Sequence, residues 1–286
     1  MEPLEYSKAN DLFFDFCLWE YKPTVPWENK LRSSNLLFHS FDVMGLDERA
    51  RDLVRSIREW AGLSRTVWGM KHQGNRIFWE FYFYDYRRRQ RQRSITGFLD
   101  RFRDLIPCEV RANENLNYFM FSVDIDQDLI SRGKKLDEIH MYVGNPGSTV
   151  SSGICYSLTN GGTRLENDYF FFDARRQMPE IRDKAACSAF FDEKAVRIDQ
   201  ILWPELLDCT VIVVANKQYN DGVYFSRVNV DQLIFFLRRT GWHGEMVSFV
   251  EKHRSGLDHL FFDVAFDYRM EKGHLTIQKS ACFGIF

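Results

Sequence analysis

Two runs of the chain, Arg65–Lys71 and Arg76–Tyr84, are rich in β-branched and aromatic residues and flank the turn signal Gln73-Gly74-Asn75. That pattern predicts two strands joined by a tight connection. In the second run, alternation puts Phe78, Glu80, Tyr82 and Tyr84 on one face and Trp79, Phe81 and Phe83 on the other. The wholly apolar face belongs against a layer of helices, which turns Glu80 and the two tyrosines towards an interior. Upstream, Leu46, Ala50, Leu53, Val54, Ile57, Trp60 and Ala61 fall at helical spacing, and Gly62 is placed to end that helix. Leu36–Val43 reads as strand-like, and residues 1–35, broken by Pro3, Pro23 and Pro26, read as irregular.

Further strand patterns cover residues 117–125, 138–143, 154–159, 167–173, 210–217, 222–228, 257–269 and 274–285. Asn160-Gly161-Gly162 and Asn220-Asp221-Gly222 are hairpin signals within them. Helical patterns fall at 88–106, within 174–208 and at 245–253. Another opens at Asn229, with Gln232 at capping-box spacing and Val230, Leu233, Ile234 and Leu237 as its apolar stripe. The order strand pair, helix, strand pair occurs twice, with Thr66-Val67 matching Thr210-Val211 and Leu116 matching Leu257. Residues 36–286 are therefore expected to form one domain of duplicated β-β-α-β-β units. Ten mostly hairpin-linked strands make a poor open sheet, and closure removes their edges. The expected fold is α+β: a ten-stranded antiparallel β-barrel surrounded by helices, wide enough to admit a ligand.

Composition narrows the functions. The 286 residues carry 38 Lys and Arg against 40 Asp and Glu, a net charge of −2, which speaks against a general nucleic-acid binder. Aromatic residues make up 16%, with 26 phenylalanines, consistent with an aromatic interior. The six cysteines are scattered without C-x-x-C pairs, so neither a structural zinc site nor a disulfide framework is expected. No apolar run approaches the ~20 residues of a membrane-spanning helix. No secretory h-region is visible near the N-terminus. The expectation is a reduced, cytoplasmic, monomeric protein.

The run Leu275-Thr276-Ile277-Gln278-Lys279-Ser280-Ala281-Cys282-Phe283-Gly284 resembles the last strand of the soluble ABBA-type aromatic prenyltransferases, in which a diphosphate-binding lysine precedes small and aromatic residues. Thr210–Ser226, ending in Tyr224-Phe225-Ser226, is similar to a hairpin of that family, and Phe78–Tyr84 to its early strand bearing an acidic residue, here Glu80. The hairpin at 152–173 departs from that pattern. The resemblance spans residues 64–286. It implies transfer of a prenyl group from an allylic diphosphate to an aromatic small molecule inside the barrel, with no cofactor or with Mg2+ accompanying the diphosphate. It implies Tyr82, His140, Tyr142, Lys217, Tyr224 and Lys279 as substrate-binding residues and Glu80 as a catalytic carboxylate, with no resident metal; Asp124 and Asp263, at equivalent positions of the internal repeat, are expected as further catalytic carboxylates in the lumen. His140-x-Tyr142 stands where that family uses Lys-x-Tyr.

Plainer roles stand beside these. Lys217 next to a turn reads equally as a surface lysine, Glu80 as half of an ion pair, and Tyr82 and Tyr142 as core tyrosines. Lys279 shares its alternation with Leu275, Ile277 and Ala281, so it either snorkels or is a buried cation held for an anion. The basic run Arg87–Arg93 reads as a solvated or acid-paired face. Asp124-Ile125-Asp126-Gln127-Asp128 reads as a strand end followed by an acidic first helical turn, and Gly144-Asn145-Pro146-Gly147 as a loop. A non-catalytic barrel that binds an apolar or aromatic small molecule is the alternative function.

Overall fold

The computed structural model describes residues 3–85, 90–131, 133–145 and 147–286. Its frame is a closed antiparallel barrel of ten strands, with helices on the outside. The chain enters through a short hairpin, β1 (Phe13–Asp15) and β2 (Trp19–Tyr21), and two helices, α1 (Ser34–Val43) and α2 (Glu48–Ala61). The barrel strands are β3 (Thr66–Gln73), β4 (Arg76–Tyr84), β5 (Met120–Ile125), β6 (Ile139–Gly144), β7 (Ser151–Thr159), β8 (Gly162–Asp173), β9 (Val211–Lys217), β10 (Asp221–Val228), β11 (Phe262–Glu271) and β12 (His274–Ile285). Each pairs with its sequence neighbour, and β12 pairs with β3 to close the ring. Between strands lie α3 (Ile95–Phe102), α4 (Gln127–Ser131), α5 (Met178–Ala186), α6 (Val230–Arg239), α7 (Gly244–Lys252) and α8 (Arg254–Leu257).

The two ends of the barrel differ. The tight turns β3–β4, β7–β8, β9–β10 and β11–β12 gather at one end, which we call the mouth. The connection carrying α4 lies at this end too, and those carrying α3, α5 and α6 to α8 leave from the other end. The outer barrel face meets the helices in the main apolar core: Trp79 lies edge-on to Phe41 of α1 at 5.0 Å between ring centres, and Phe266 stacks on Trp203 at 4.3 Å. Trp79, Phe81 and Phe83 thus face the helices, as alternation predicts. The capping box of α6 forms, with Asn229 accepting from the Gln232 backbone and the Gln232 side chain from the Asn229 N–H. No helix of the described residues is long and apolar enough to cross a membrane.

Three readings of the sequence need correction. Leu36–Val43 is not a strand but most of helix α1. Residues 34–38 are all buried, so the helix has no continuous polar side there and its 3.6-residue period is hidden. The helix expected over 88–106 is shorter, Ile95–Phe102, with Ser94 as its N-cap. The segment 1–35 contains a hairpin, and that hairpin has a place in the lumen. Of the basic run, Arg87–Arg89 lie outside the described residues. Arg91 pairs with buried Asp85 at 2.9 Å and lies over the Tyr118 ring, so it is a packed residue. Asp126 accepts from the Leu129 N–H at 2.7 Å and so caps α4.

Candidate functional site

The mouth opens into a cavity of about 240 Å³ inside the barrel. Its walls are built in layers, because successive lumen-facing residues on a strand are two apart and neighbouring strands run in opposite directions. One layer comes from the even-numbered strands: Tyr82 on β4, Tyr142 on β6, Tyr169 on β8, Tyr224 on β10 and Phe283 on β12. Their rings form a closed circuit, with centre-to-centre distances of 6.1, 6.2, 5.9, 6.3 and 6.1 Å from Tyr82 round through Phe283 and back. Gly69 allows this: it sits opposite Phe283 in the β12–β3 ladder, and a Cβ there would lie 2.8 Å from the Phe283 ring. Burial, first of all, pushes the four phenols above their ordinary pKa, and nearby acids such as Glu80 add to it. All four remain neutral hydroxyl donors.

A charged layer lies between this ring and the mouth, in two groups. On the β3–β6 side the Lys71 ammonium bridges Glu80 and Asp124 at 2.7 Å each. Glu80 is buried and also accepts from the Tyr82 and Ser122 hydroxyls. Burial would raise the Glu80 pKa, but the charge of Lys71, then the neighbouring His140 and the Ser122 hydroxyl, outweigh it and hold the carboxylate ionised. Burial would likewise neutralise Lys71, and the two carboxylates reverse that. His140 Nδ1 is 3.9 Å from Asp124 and has no hydrogen-bond partner. On the opposite side Asp267 is shared by Lys217 at 2.6 Å and Lys279 at 3.1 Å. Burial would raise Asp267, and the two lysines more than offset it. Gly222 makes room for this group, since a Cβ there would lie 2.8 Å from Asp267 Oδ1. Lys217 also donates to the Tyr224 hydroxyl at 3.5 Å.

The layer is therefore polarised. The Lys71 group holds one cation against two anions, and the Lys217–Lys279 group two cations against one. Glu80, Asp124 and His140 present donor atoms within 4.8 Å of one another, the spacing of a metal site. The Lys71 ammonium already lies between the two carboxylates, so the trio does not fit a divalent ion while that lysine stays.

Of the nine residues singled out from sequence, Glu80, Asp124, Tyr82, His140, Tyr142, Lys217, Tyr224 and Lys279 line this one cavity. Asp263 does not. It lies on the same face of β11 as Asp267 but four residues deeper, at the other end of the barrel, where it accepts from the Arg227 N–H at 3.1 Å. Lys279 escapes the apolar face that simple alternation gave it. Asp267 pairs with Lys279 but Tyr268 pairs with Ile277, so Gln278 is an extra residue. The bulge turns Lys279 into the lumen with Ala281 and Phe283 and leaves Ile277 on the opposite face. Lys71, Tyr169 and Asp267 were missed. The β3–β4 turn sets Lys71 opposite Phe78, diagonal to Glu80, so hairpin register would have found it.

No protein-family profile matches the chain, and no curated protein matches it.

Proposed function

We propose that this barrel transfers a prenyl group from an allylic diphosphate to an aromatic small molecule in its lumen. The observation that carries the reading is the closed ring of four tyrosines and one phenylalanine directly beneath a layer holding three lysines. The diphosphate belongs on the Lys217–Lys279 side, which has the cation surplus, with neutral phenols such as Tyr224 donating to its oxygens. The bond between the allylic carbon and the diphosphate oxygen breaks, and its electron pair leaves with diphosphate. The allylic cation is met by ring faces, a cation–π contact in a water-poor site. An aromatic carbon of the acceptor attacks the cation, and the ring then loses its proton. Glu80, held ionised by Lys71, and Asp124 beside it are the acceptor-side carboxylates that orient it and take that proton. Lys71 supplies the positive charge between them, and any Mg2+ would arrive on the diphosphate. We place the reaction in the cytoplasm, in a monomer.

Incubation with dimethylallyl or geranyl diphosphate and a panel of phenols and indoles tests this. The expected result is an acceptor heavier by one prenyl unit, together with protection against thermal unfolding by the diphosphate. The absence of both product and protection would overturn it. One observation favours the non-catalytic alternative: each lumen lysine already has a carboxylate partner. That reading predicts protection by uncharged aromatic compounds and none by diphosphates.

A further inference from the structure

The end of the barrel opposite the mouth is stoppered by the β1–β2 hairpin. Its tip reaches the lumen: Cys17 is 1% exposed and belongs to one apolar cluster with Val67, Tyr84, Met120, Ala265, Ala281 and Phe283. This cluster is separate from the core beneath the helices. Ala265, Ala281 and Phe283 also line the cavity, so the cluster packs the lumen between the base of the cavity and the tip. From Lys71 in the charged layer to Val67 in the tip's cluster is four residues of one strand, about 13 Å of strand and roughly 10 Å along a tilted barrel.

The hairpin is held firmly and its tip is strained. Asp15 pairs with Arg227 at 2.8 Å, and the Tyr21 hydroxyl accepts from the Phe261 N–H at 3.1 Å. The turn closes with Leu18 N–H on Asp15 C=O, and its central residues Phe16 and Cys17 have φ of 49° and 57°. Glycine or asparagine adopts that left-handed conformation cheaply, whereas a phenylalanine and a cysteine do so at a cost. What these two side chains offer instead is contact with the lumen.

We propose that the Phe16-Cys17 tip is the floor of the prenyl-chain site and sets the length of chain the lumen accepts. The inference rests on the prenyl-transfer reading. A chain whose head is held at Lys217 and Lys279 points down into the aromatic ring, and the packed cluster backed by Cys17 limits how far its tail can go. Each methylene buried adds about 4-fold in affinity, so a chain that cannot seat its last isoprene unit loses a measurable factor.

Calorimetry with saturated isoprenoid diphosphates of five, ten and fifteen carbons, which cannot ionise to a cation, reads length without turnover. Cys17→Phe, which raises the floor, is expected to weaken the longest chain that wild type binds by about 10-fold while leaving the five-carbon chain within about 2-fold. Cys17→Ala and Met120→Ala, which enlarge the base, are expected to strengthen longer chains selectively, and they decide the matter if Cys17→Phe does not fold. Variants that shift all bound lengths by one common factor would overturn the gauge and leave the prenyl reading standing. A wild type that binds no diphosphate of any length would remove both.

Discussion

Replacing Lys71 with methionine keeps the side-chain stem and removes the ammonium between Glu80 and Asp124. The consequence follows from burial. Glu80 is 2% exposed, and after the substitution it retains the hydroxyl donors Tyr82 and Ser122 and the neighbouring His140 but no ammonium partner. Breaking a buried ion pair by removing one partner costs about 3–5 kcal/mol, because the remaining charge is left uncompensated. The loss should appear at pH 7 in urea or guanidinium unfolding monitored by tryptophan fluorescence. Its pH dependence is the sharper test. In wild type the folded-state pKa of Glu80 is depressed from 4.5 to about 2. Its contribution is thus present above about 4.5 and lost as pH falls towards 2. Without Lys71, burial dominates and the folded-state pKa rises above the unfolded one. Lys71→Met should therefore recover stability relative to wild type as pH falls from 7 towards 4. Adding Glu80→Gln should restore most of the loss at pH 7. A single variant within about 1 kcal/mol of wild type at pH 7, with an unchanged pH profile, would refute this account of the bridge.

Three further outcomes are expected. Gly222→Ala forces a Cβ to 2.8 Å from Asp267 Oδ1 and should cost about 1–3 kcal/mol by thermal unfolding while weakening diphosphate binding; an unaffected variant would mean the lysine-sharing carboxylate is not confined there. Burial, and then the neighbouring Asp15 charge, raises the Asp263 pKa, so the charged form destabilises the fold as pH rises above 3.8. Asp263→Asn should then be more stable than wild type at pH 7, by about 1.4 kcal/mol for each pH unit of the raised pKa, in denaturant titrations at several pH values. Lys279→Ala leaves Asp267 paired with Lys217 and should cost under about 1 kcal/mol of stability. The same variant should weaken diphosphate binding roughly 10–150-fold by calorimetry, and wild-type affinity would place Lys279 outside the anion site.

Alternation in aromatic strands was enough to show which faces turn inward, and short turns between strands were enough to predict closure. Depth was harder to read. Asp263 and Asp267 share a face of β11, and only the register against β10 and β12 assigns one to the stopper and the other to the lysines. Lys279 could not be placed from its own strand, because the bulge at Gln278 that turns it inward depends on the partner strand. Helix α1 was misread because its leading residues are buried all round, which removes the polar side that periodicity needs. The stopper was invisible for a different reason. Two three-residue strands carry little pattern, and nothing local says that Cys17 ends inside a barrel whose first strand begins at Thr66.

The central claim, that an allylic diphosphate reacts within this lumen, is tested most directly by a crystal structure with an unreactive thiolodiphosphate analogue of dimethylallyl diphosphate. The account predicts the phosphates on Lys217 and Lys279, with the chain inside the ring of Tyr82, Tyr142, Tyr169, Tyr224 and Phe283. An analogue bound only outside the barrel, with the three lysines still on their carboxylates, would contradict it.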